Sequence, residues 1–248
     1  MRTSRRTLFL ISVLTLACST WAAAQTPTVT QIMSRIRTAY GTRWISGEIT
    51  DWKADGNLTL FSTGGPKATF TVSLRQRGNA KVQRIVTQQG GVLKQGTDGT
   101  NSWESFGDFF TTSAQGGSQQ FIESTTLRSV QRLLNYQQEG LTLSDLGVNG
   151  RTRAIEATDA QGRKTTFTLN EETAIITKVE FVVGQLKVPF SGTPRNVTDA
   201  YVFSDHRLVQ SALIPFKIER FNNGRKTEEM QFTAISFNTG LTDQDFTR

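Results

Sequence analysis

The sequence is poor in cysteine, histidine and proline. Its 248 residues include one cysteine, Cys18, one histidine, His206, and five prolines. A tetrahedral zinc site needs several Cys or His ligands, and a disulfide framework needs paired thiols. This composition therefore argues against both, and we expect no metal site and no redox chemistry based on thiols.

Sequence signatures of the common enzyme classes are also missing. The chain has no Gly-x-Ser-x-Gly elbow, no phosphate-binding loop and no dinucleotide-binding fingerprint. Ser204, Asp205 and His206 are the residue types of a hydrolase triad, but neighbours in a strand point to opposite faces. The carboxylate doublets at 171–172 and 228–229 lack the spacing of a glycosidase acid and base. We expect a binding protein without a cofactor, and an enzyme only if His206 meets a carboxylate in a polar cleft.

No apolar run approaches the roughly 20 residues that a membrane-spanning helix needs. The apolar stretch 8–17 follows Arg2, Arg5 and Arg6 and precedes the small residues 22–24, which signal peptidase accepts at its cleavage site. We therefore predict that residues 1–24 are a signal peptide and that the protein is exported to a bacterial periplasm.

Two other export routes stay open. Residues 4–9 have a twin-arginine pattern, and residues 15–18 resemble a weak lipobox, which would make Cys18 a lipid-anchored N-terminus. The core of the stretch is very apolar for the twin-arginine route, and Thr15 is a poor residue three before a lipidated cysteine. Ordinary cleavage after Ala24 is the favoured reading.

The predicted mature chain spans residues 25–248. Removing the first 24 of 248 residues leaves 224, takes away Cys18 and three arginines, and lowers the net charge from +7 to +4. An exported protein rarely meets nucleic acid, so we expect no such partner. The positive charge is explained by a solvated basic surface or by contact with anionic lipid head groups. No sharp change of composition divides the chain, and we expect one domain and a monomer.

Periodicity predicts two helices. In residues 30–40, Ile32, Ile36 and Ala39 recur at helical spacing, and Thr28 or Thr30 is placed to cap the N-terminus. Residues 124–136 contain a second apolar stripe, after a Gly/Ser/Gln-rich loop at 113–118. Twenty-one glycines, with many Thr, Ser, Gln and Val residues, favour short strands for the rest of the chain.

Alternating patterns predict twelve β-prone segments, at 44–52, 58–62, 68–77, 81–88, 92–95, 102–106, 153–158, 164–170, 174–183, 201–209, 212–221 and 227–237. We expect them to form an antiparallel meander, in a sheet of about eleven strands. The predicted turns include Asp55-Gly56-Asn57. Phe70, Val72 and Leu74 share one face, and the pair Phe216 and Ile218 should lie near Met230 and Phe232. Two short helices cover only part of such an apolar face. Either the sheet folds on itself as a sandwich, or an apolar concavity is left for a ligand.

Three segments carry a resemblance to a known family. Residues 76–84 are similar to a strand, Arg-Pro turn and strand, 97–103 to a "DG..lW" hairpin, and 235–246 to a closing strand with an "N..l.d..F" tail. Together with the order of elements, they resemble the LolA-like superfamily of periplasmic lipoprotein carriers and sorting proteins. Gly78 stands where the family usually has proline.

The resemblance implies an α+β, mainly β fold: a strongly curved antiparallel sheet, like an unclosed half-barrel, with a few helices covering an apolar concavity. It also implies a carrier that binds the acyl chains of lipids or lipoproteins, ferries them toward the outer membrane, and meets an inner- or outer-membrane receptor. Arg77 matches an arginine that holds the family's helical lid closed. The candidate cavity residues are Trp44, Trp52, Phe70, Val72, Leu74, Trp103, Phe216 and Phe232. The alternative is a periplasmic sensor or protein-interaction module of the same fold.

Overall fold

The computed structural model describes residues 26–78, 81–98, 101–113, 128–186 and 195–247. The predicted signal peptide with Cys18, most of the loop at 113–118, and the first part of the predicted second helix lie outside these residues. Within the described ranges, no helix combines the length and hydrophobicity of a membrane span.

The described residues form two α-helices, two 3₁₀-helices and thirteen strands. The helices are α1 (Val29–Tyr40), α2 (Arg128–Leu134), η1 (Thr42–Trp44) and η2 (Asp243–Phe246). The strands are β1 (Asp51–Ser62), β2 (Gly65–Arg77), β3 (Lys81–Gln88), β4 (Gly91–Thr97), β5 (Ser102–Phe106), β6 (Phe109–Ser113), β7 (Thr142–Asn149), β8 (Thr152–Thr158), β9 (Lys164–Asn170), β10 (Ile176–Leu186), β11 (Arg195–Val209), β12 (Ala212–Asn222) and β13 (Arg225–Phe237).

All thirteen strands belong to one sheet, in the order β6-β5-β4-β3-β2-β1-β13-β12-β11-β10-β9-β8-β7. Each strand pairs antiparallel with its neighbours. The first and last strands of the chain meet in the middle, where Trp52 lies opposite Phe237. Because β6 and β7 are the two edges and do not pair, the sheet stays open. The predicted fold class, a mainly β, unclosed, curved antiparallel sheet with helices, is confirmed.

Helix α1 forms as its sequence predicts. Thr28 and Gln31 make a reciprocal capping box, which satisfies backbone N–H groups of the first turn. Ile32, Met33, Ile36 and Tyr40 are buried on one face. The helix ends at Gly41, where φ is 86° and a Cβ atom would lie 2.5 Å from the carbonyl oxygen of Ser211.

The prediction of a turn at residues 55–57 is wrong, because β1 runs without interruption from Asp51 to Ser62. A register shift lies between Asp55 and Gly56. At Gly56 the neighbouring strand approaches so closely that a Cβ atom would lie 2.2 Å from the carbonyl oxygen of Gln231. Glycine therefore marks a close backbone approach inside a strand here.

Three strand predictions also need correction. Residues 44–50 are not a strand, since η1 ends at Trp44 and β1 begins at Asp51. Strands β6 and β7 were not predicted, and the sheet has thirteen strands where about eleven were expected. The two unpredicted strands are the edges of the sheet, where a strand needs no continuous apolar face.

One hydrophobic cluster fills the space between the helices and the sheet. Val130, Leu133 and Leu134 of α2 join the buried face of α1, and each is at most 3% exposed. The cluster continues along both halves of the sheet through Leu58, Val72, Leu74, Val86, Ile155, Phe167, Leu169, Ile176, Val179, Phe203, Ile218 and Met230. We call the sheet face that carries this cluster the concave face.

Candidate functional site

Strand register decides which side chains reach the concave face. Residues directly opposite each other in paired strands share a face. Leu74 lies opposite Ala54 and Arg84, and Val72 lies opposite Val86. These residues, and those at every second position along β1, β2 and β3, therefore lie on the concave face. Residues of the other parity belong to the opposite face.

Seven of the eight predicted cavity residues come together in or against the concave-face cluster. Phe70 packs against it as a partly buried residue. The other six are buried members: Trp44, Trp52, Val72, Leu74, Phe216 and Phe232. The pairing of Ile218 with Met230 and of Lys217 with Gln231 brings the last two strands together as expected. Whether these residues contact a ligand stays a prediction.

Trp44 links the apolar interior to the loop that follows α1. Its indole Nε1 donates to the carbonyl of Leu213 at 3.2 Å, and its ring meets Phe237 edge-on at a centroid distance of 5.4 Å. A buried tryptophan N–H usually has a hydrogen-bond acceptor. Together, the two contacts hold the ring in one orientation. Trp44 therefore forms a rigid end wall of the cluster.

The structure separates Trp103 from the other seven residues. Trp103 lies opposite Gly96, which lies opposite Gln83. All three therefore lie on the opposite face of the sheet, away from the helices. Its ring packs over Gly96, and its Nε1 donates to the carbonyl of Phe246 at 3.1 Å. The placement of Trp103 in the cavity is therefore corrected: it holds the C-terminal η2 against the opposite face.

The structure also places Arg77 on that opposite face. Its guanidinium pairs with Asp243, and Lys81 Nζ pairs with the same carboxylate at 2.6 Å. The prediction that Arg77 holds the helical lid is therefore corrected, because this arginine contacts the C-terminal segment and not α1 or α2. Its neighbour Gln76 has the concave-face parity, and its Nε2 donates to Gln131 Oε1 of α2 at 2.5 Å.

A cluster of charged groups ties α1 to the second half of the sheet. Glu171 accepts from Arg153 Nε at 2.8 Å and from Arg35 Nη1 at 3.3 Å. Arg153, with only 4% of its side chain exposed, also donates to Asp145 at 2.5 Å. The hydrogen bond from Arg153 holds the pKa of Glu171 below its usual value, with a smaller contribution from Arg35. At the other end of α1, Arg37 Nε donates to the carbonyl of Leu134 at 2.9 Å.

A chain of polar side chains crosses the concave face, and sequence reasoning missed it. We call it the polar belt, and its members are Glu104, Gln95, Arg84, Glu228, Arg220, Asp199 and Asn222. Arg84 Nη1 donates to Glu228 at 3.0 Å, and Arg84 Nη2 donates to Gln95 at 2.7 Å. Burial lowers the pKa of Arg84, whose side chain is 8% exposed. The signal was present in β3, where Arg84 interrupts the apolar positions Val82 and Val86.

Arg220 forms the second cationic centre of the belt. It donates to Asp199 at 2.7 Å and to Glu228 at 3.3 Å, and it lies 5.9 Å from the ring centre of Tyr201. Burial opposes its charge, but Tyr201, Glu228 and Asp199 together raise the pKa of Arg220. Asn222 completes the chain by donating to Asp199 at 2.8 Å.

Two small cavities are lined by described residues alone. One of about 240 Å³ lies between α2 and the loop after η1, and the other, of about 30 Å³, lies beside β8 and β9. The first is lined by Trp44, Ile45, Gly47, Ile49, Gly78, Gln131, Asn135, Gln138 and Glu139. In the described part of the concavity, side chains of α1 and α2 occupy the apolar interior.

His206 and Asp205 do not form a catalytic pair in this geometry. Both carboxylate oxygens of Asp205 accept from Arg207, at 2.9 and 2.7 Å. Burial lowers the pKa of His206, while a hydrogen bond at Ile176 opposes that shift. The Asp205 carboxylate is thus occupied by Arg207.

Comparison with solved structures finds similar folds, of which three are described. A domain from Vibrio parahaemolyticus described as an outer membrane lipoprotein-sorting protein is 15% identical, with a TM-score of 0.55, over 87% of this chain and 94% of that one. A LolA superfamily protein from Nitrosomonas europaea is 11% identical, with a TM-score of 0.58, over 90% and 99%. A DUF1329 family protein from Desulfovibrio piger is 10% identical, with a TM-score of 0.57, over 90% and 98%.

Sequence comparisons give no counterpart to these structural matches. No model of a protein family matches the chain. No curated protein matches it by sequence either. The likeness is therefore one of fold, and it covers nearly the whole length of both chains.

Proposed function

The chain has a LolA-like fold, and on that basis we propose that it is a periplasmic carrier that binds the acyl chains of lipids or lipoproteins in its concavity and ferries them toward the outer membrane. The observation that carries this proposal is the apolar concave face closed by short helices and not by a second sheet. An apolar face of this size needs a cover, and helices can be displaced without breaking the strand ladder.

The energetics of exchange support this function. Burying an acyl chain is worth roughly 0.8 kcal/mol per CH₂. A chain entering the concavity replaces contacts now made by Ile32, Met33 and Ile36 of α1, and by Leu133 and Leu134 of α2. Because apolar contacts are exchanged for apolar contacts, the net cost of opening is set mainly by the polar links of the helices.

Those polar links are few and partly exposed. The pair between Arg35 and Glu171 has side chains 39% and 29% exposed, and exposed ion pairs contribute about 0–1 kcal/mol. Arg35 also donates to the backbone carbonyls of Glu171 and Glu172. Tyr40 Oη of α1 donates to the carbonyl of Ile176 at 3.5 Å, and Gln76 adds one hydrogen bond from the sheet to α2. The bond from Arg37 joins α1 to α2. The two helices thus rest on the sheet mainly through side chains that an acyl chain can replace.

The remaining parts of the proposal follow from the sequence. Residues 1–24 direct export, residues 25–248 form the single binding domain, and the mature monomer acts as a carrier with no catalytic step. Its receptor is an inner- or outer-membrane protein. We propose no site on this chain for that receptor.

A second function of the same fold is favoured by one observation. The described interior is filled by the chain's own side chains, as it would be in a sensor or protein-interaction module that carries no cargo. The two functions differ in whether α1 leaves the sheet.

Covalent locking of α1 tests this difference. The predicted mature chain has no cysteine, so Arg35→Cys with Glu172→Cys creates one pair, in which the native Arg35 reaches the carbonyl of Glu172 at 3.5 Å. A bismaleimide cross-link there should abolish binding of a diacyl lipopeptide, measured by native mass spectrometry. The same variant without cross-linker should bind one lipopeptide per protein.

A matched cross-link on the opposite face serves as the control. Arg77→Cys with Asp243→Cys joins the sheet to the C-terminal segment, away from both helices. The cross-linked control should bind like the unmodified protein. Normal binding by the α1-locked protein would contradict the displacement of α1, and absence of binding by the variant without cross-linker and by the unmodified protein would contradict the carrier function.

A further inference from the structure

A cavity that holds only hydrocarbon has no need of the charged side chains of the polar belt. Arg84 shares the concave face with the buried Val82 and Val86, and it lies opposite Leu74. Glu228 is two residues before Met230, and Arg220 is two residues after Ile218, so both adjoin the apolar cluster on the same face. Charged groups at such positions pay a desolvation cost that apolar side chains of similar size avoid.

In the inner part of the belt, leaving aside the exposed Glu104, the charges balance but one donor is unused. Two guanidiniums, Arg84 and Arg220, face two buried carboxylates, Glu228 and Asp199. Arg220 Nε is nevertheless buried and has no acceptor within hydrogen-bond distance in the described part of the chain. A buried donor without an acceptor is costly. Since the four inner charges already cancel, a neutral oxygen is sufficient to satisfy it.

The position of this donor suggests which oxygen that is. In an acyl glycerol, the ester carbonyls sit where the hydrocarbon chains end. Chains lying over the cluster that contains Ile218 and Met230 would bring these carbonyls to the next positions on the same face, where Arg220 and Glu228 stand. A guanidinium N–H is a strong donor to such an oxygen.

We propose that the polar belt is a head-group site that recognises ester-linked acyl glycerols, with Arg220 Nε donating to an ester carbonyl of the bound lipid. This inference rests on the carrier function proposed above and adds a selectivity to it. The apolar concavity accepts chains of any linkage, and the belt distinguishes an ester from an ether.

Two phospholipid analogues that differ only in linkage test the site. A diester glycerophospholipid and the diether with the same chains and head group are titrated against the mature protein, and dissociation constants are measured. We expect the diester to bind about tenfold more tightly, as one hydrogen bond to a charged donor provides. In Arg220→Lys, which keeps the charge facing Asp199 but lacks Nε, the ratio should fall to about one.

Two further variants keep the test decisive. Arg220→Gln with Glu228→Gln removes one charge of each sign and should also bring the ratio to about one. Arg75→Gln changes a partly buried arginine of the opposite face, and it should keep the tenfold ratio. A ratio near one in the unmodified protein, or a tenfold ratio that survives in both Arg220 variants, would overturn the head-group site and leave the carrier function standing. Failure of both lipids to bind would overturn the carrier function as well.

Discussion

Glu171 is the residue through which α1 is fastened to β8, because it accepts from both Arg35 and Arg153. Its pKa is lowered in the folded protein, chiefly by the hydrogen bond from Arg153. A carboxyl group with a lowered folded pKa stabilises the fold above its unfolded pKa of about 4.5, and that contribution disappears as the pH falls through the folded value. Acid should therefore loosen α1 below about pH 4.5.

Glu171→Gln tests this link. The variant should lose about 1–3 kcal/mol of unfolding free energy at neutral pH, because the nearly buried Arg153 keeps a weaker partner. Between pH 6 and about pH 3 its stability should change less than that of the unmodified protein, as measured by urea unfolding. Glu172→Gln, at the exposed neighbouring position, is the control. Equal pH dependence in Glu171→Gln and the unmodified protein would contradict the role of Glu171.

At the residue scale, the sequence predicts which residue types form the site but not the face of the sheet on which each side chain lies. Alternation showed that Val72 and Leu74 share a face, and the structure confirms their burial. The sequence places Trp103 in the concavity and Arg77 beside the helical lid, but both lie on the other face. Side-chain direction reverses at every residue, so these assignments needed the register across several strands, which pattern alone does not provide.

At the scale of elements, the C-terminal segment covers part of the opposite face. Phe246 is fully buried, its carbonyl accepts from Trp103, and Asp245 pairs with Arg75 at 3.4 Å. The sequence predicts a short tail after the last strand and assigns no role to it. Its packing gives it one, since it covers the buried Trp103 on the opposite face.

Phe246→Ala should release this segment. Truncating a buried phenylalanine costs about 3–5 kcal/mol, and here the loss falls on a terminal segment that can detach by itself. Backbone hydrogen exchange of η2 and β5 should therefore rise, while that of β11 and β12 stays unchanged. Phe109→Ala, which changes a phenylalanine that is 76% exposed, is the control. Unchanged exchange in η2 would show that Phe246 does not hold the segment.

Most elements could be predicted, and the exceptions share a physical cause. Helix α1 and most strands have clear periodicity, so their positions were largely correct. Asp55-Gly56-Asn57 has the composition of a turn, but the close approach of Gln231 requires glycine within a strand. Strand β7 exposes Leu146 and Val148 at the edge of the sheet, so its pattern lacks a buried face.

At the scale of the whole molecule, β1 and β13 join two antiparallel halves into one open sheet. The opening helix and the helix between the halves both pack on the concave face. The motifs at 76–84, 97–103 and 235–246 predicted this fold because they span both halves. The polar belt crosses strands that are distant in sequence, so no local motif could reveal it.

The most direct test of the carrier function is the mass of the native protein. The chain is expressed with its own signal, purified from the periplasm without detergent, and analysed by native mass spectrometry together with an organic extract. We predict a mature protein beginning near residue 25 that carries close to one acyl lipid or lipoprotein per chain. A ligand-free mass, with no uptake of added lipid or lipopeptide, would contradict the carrier function and favour a self-packed interaction module.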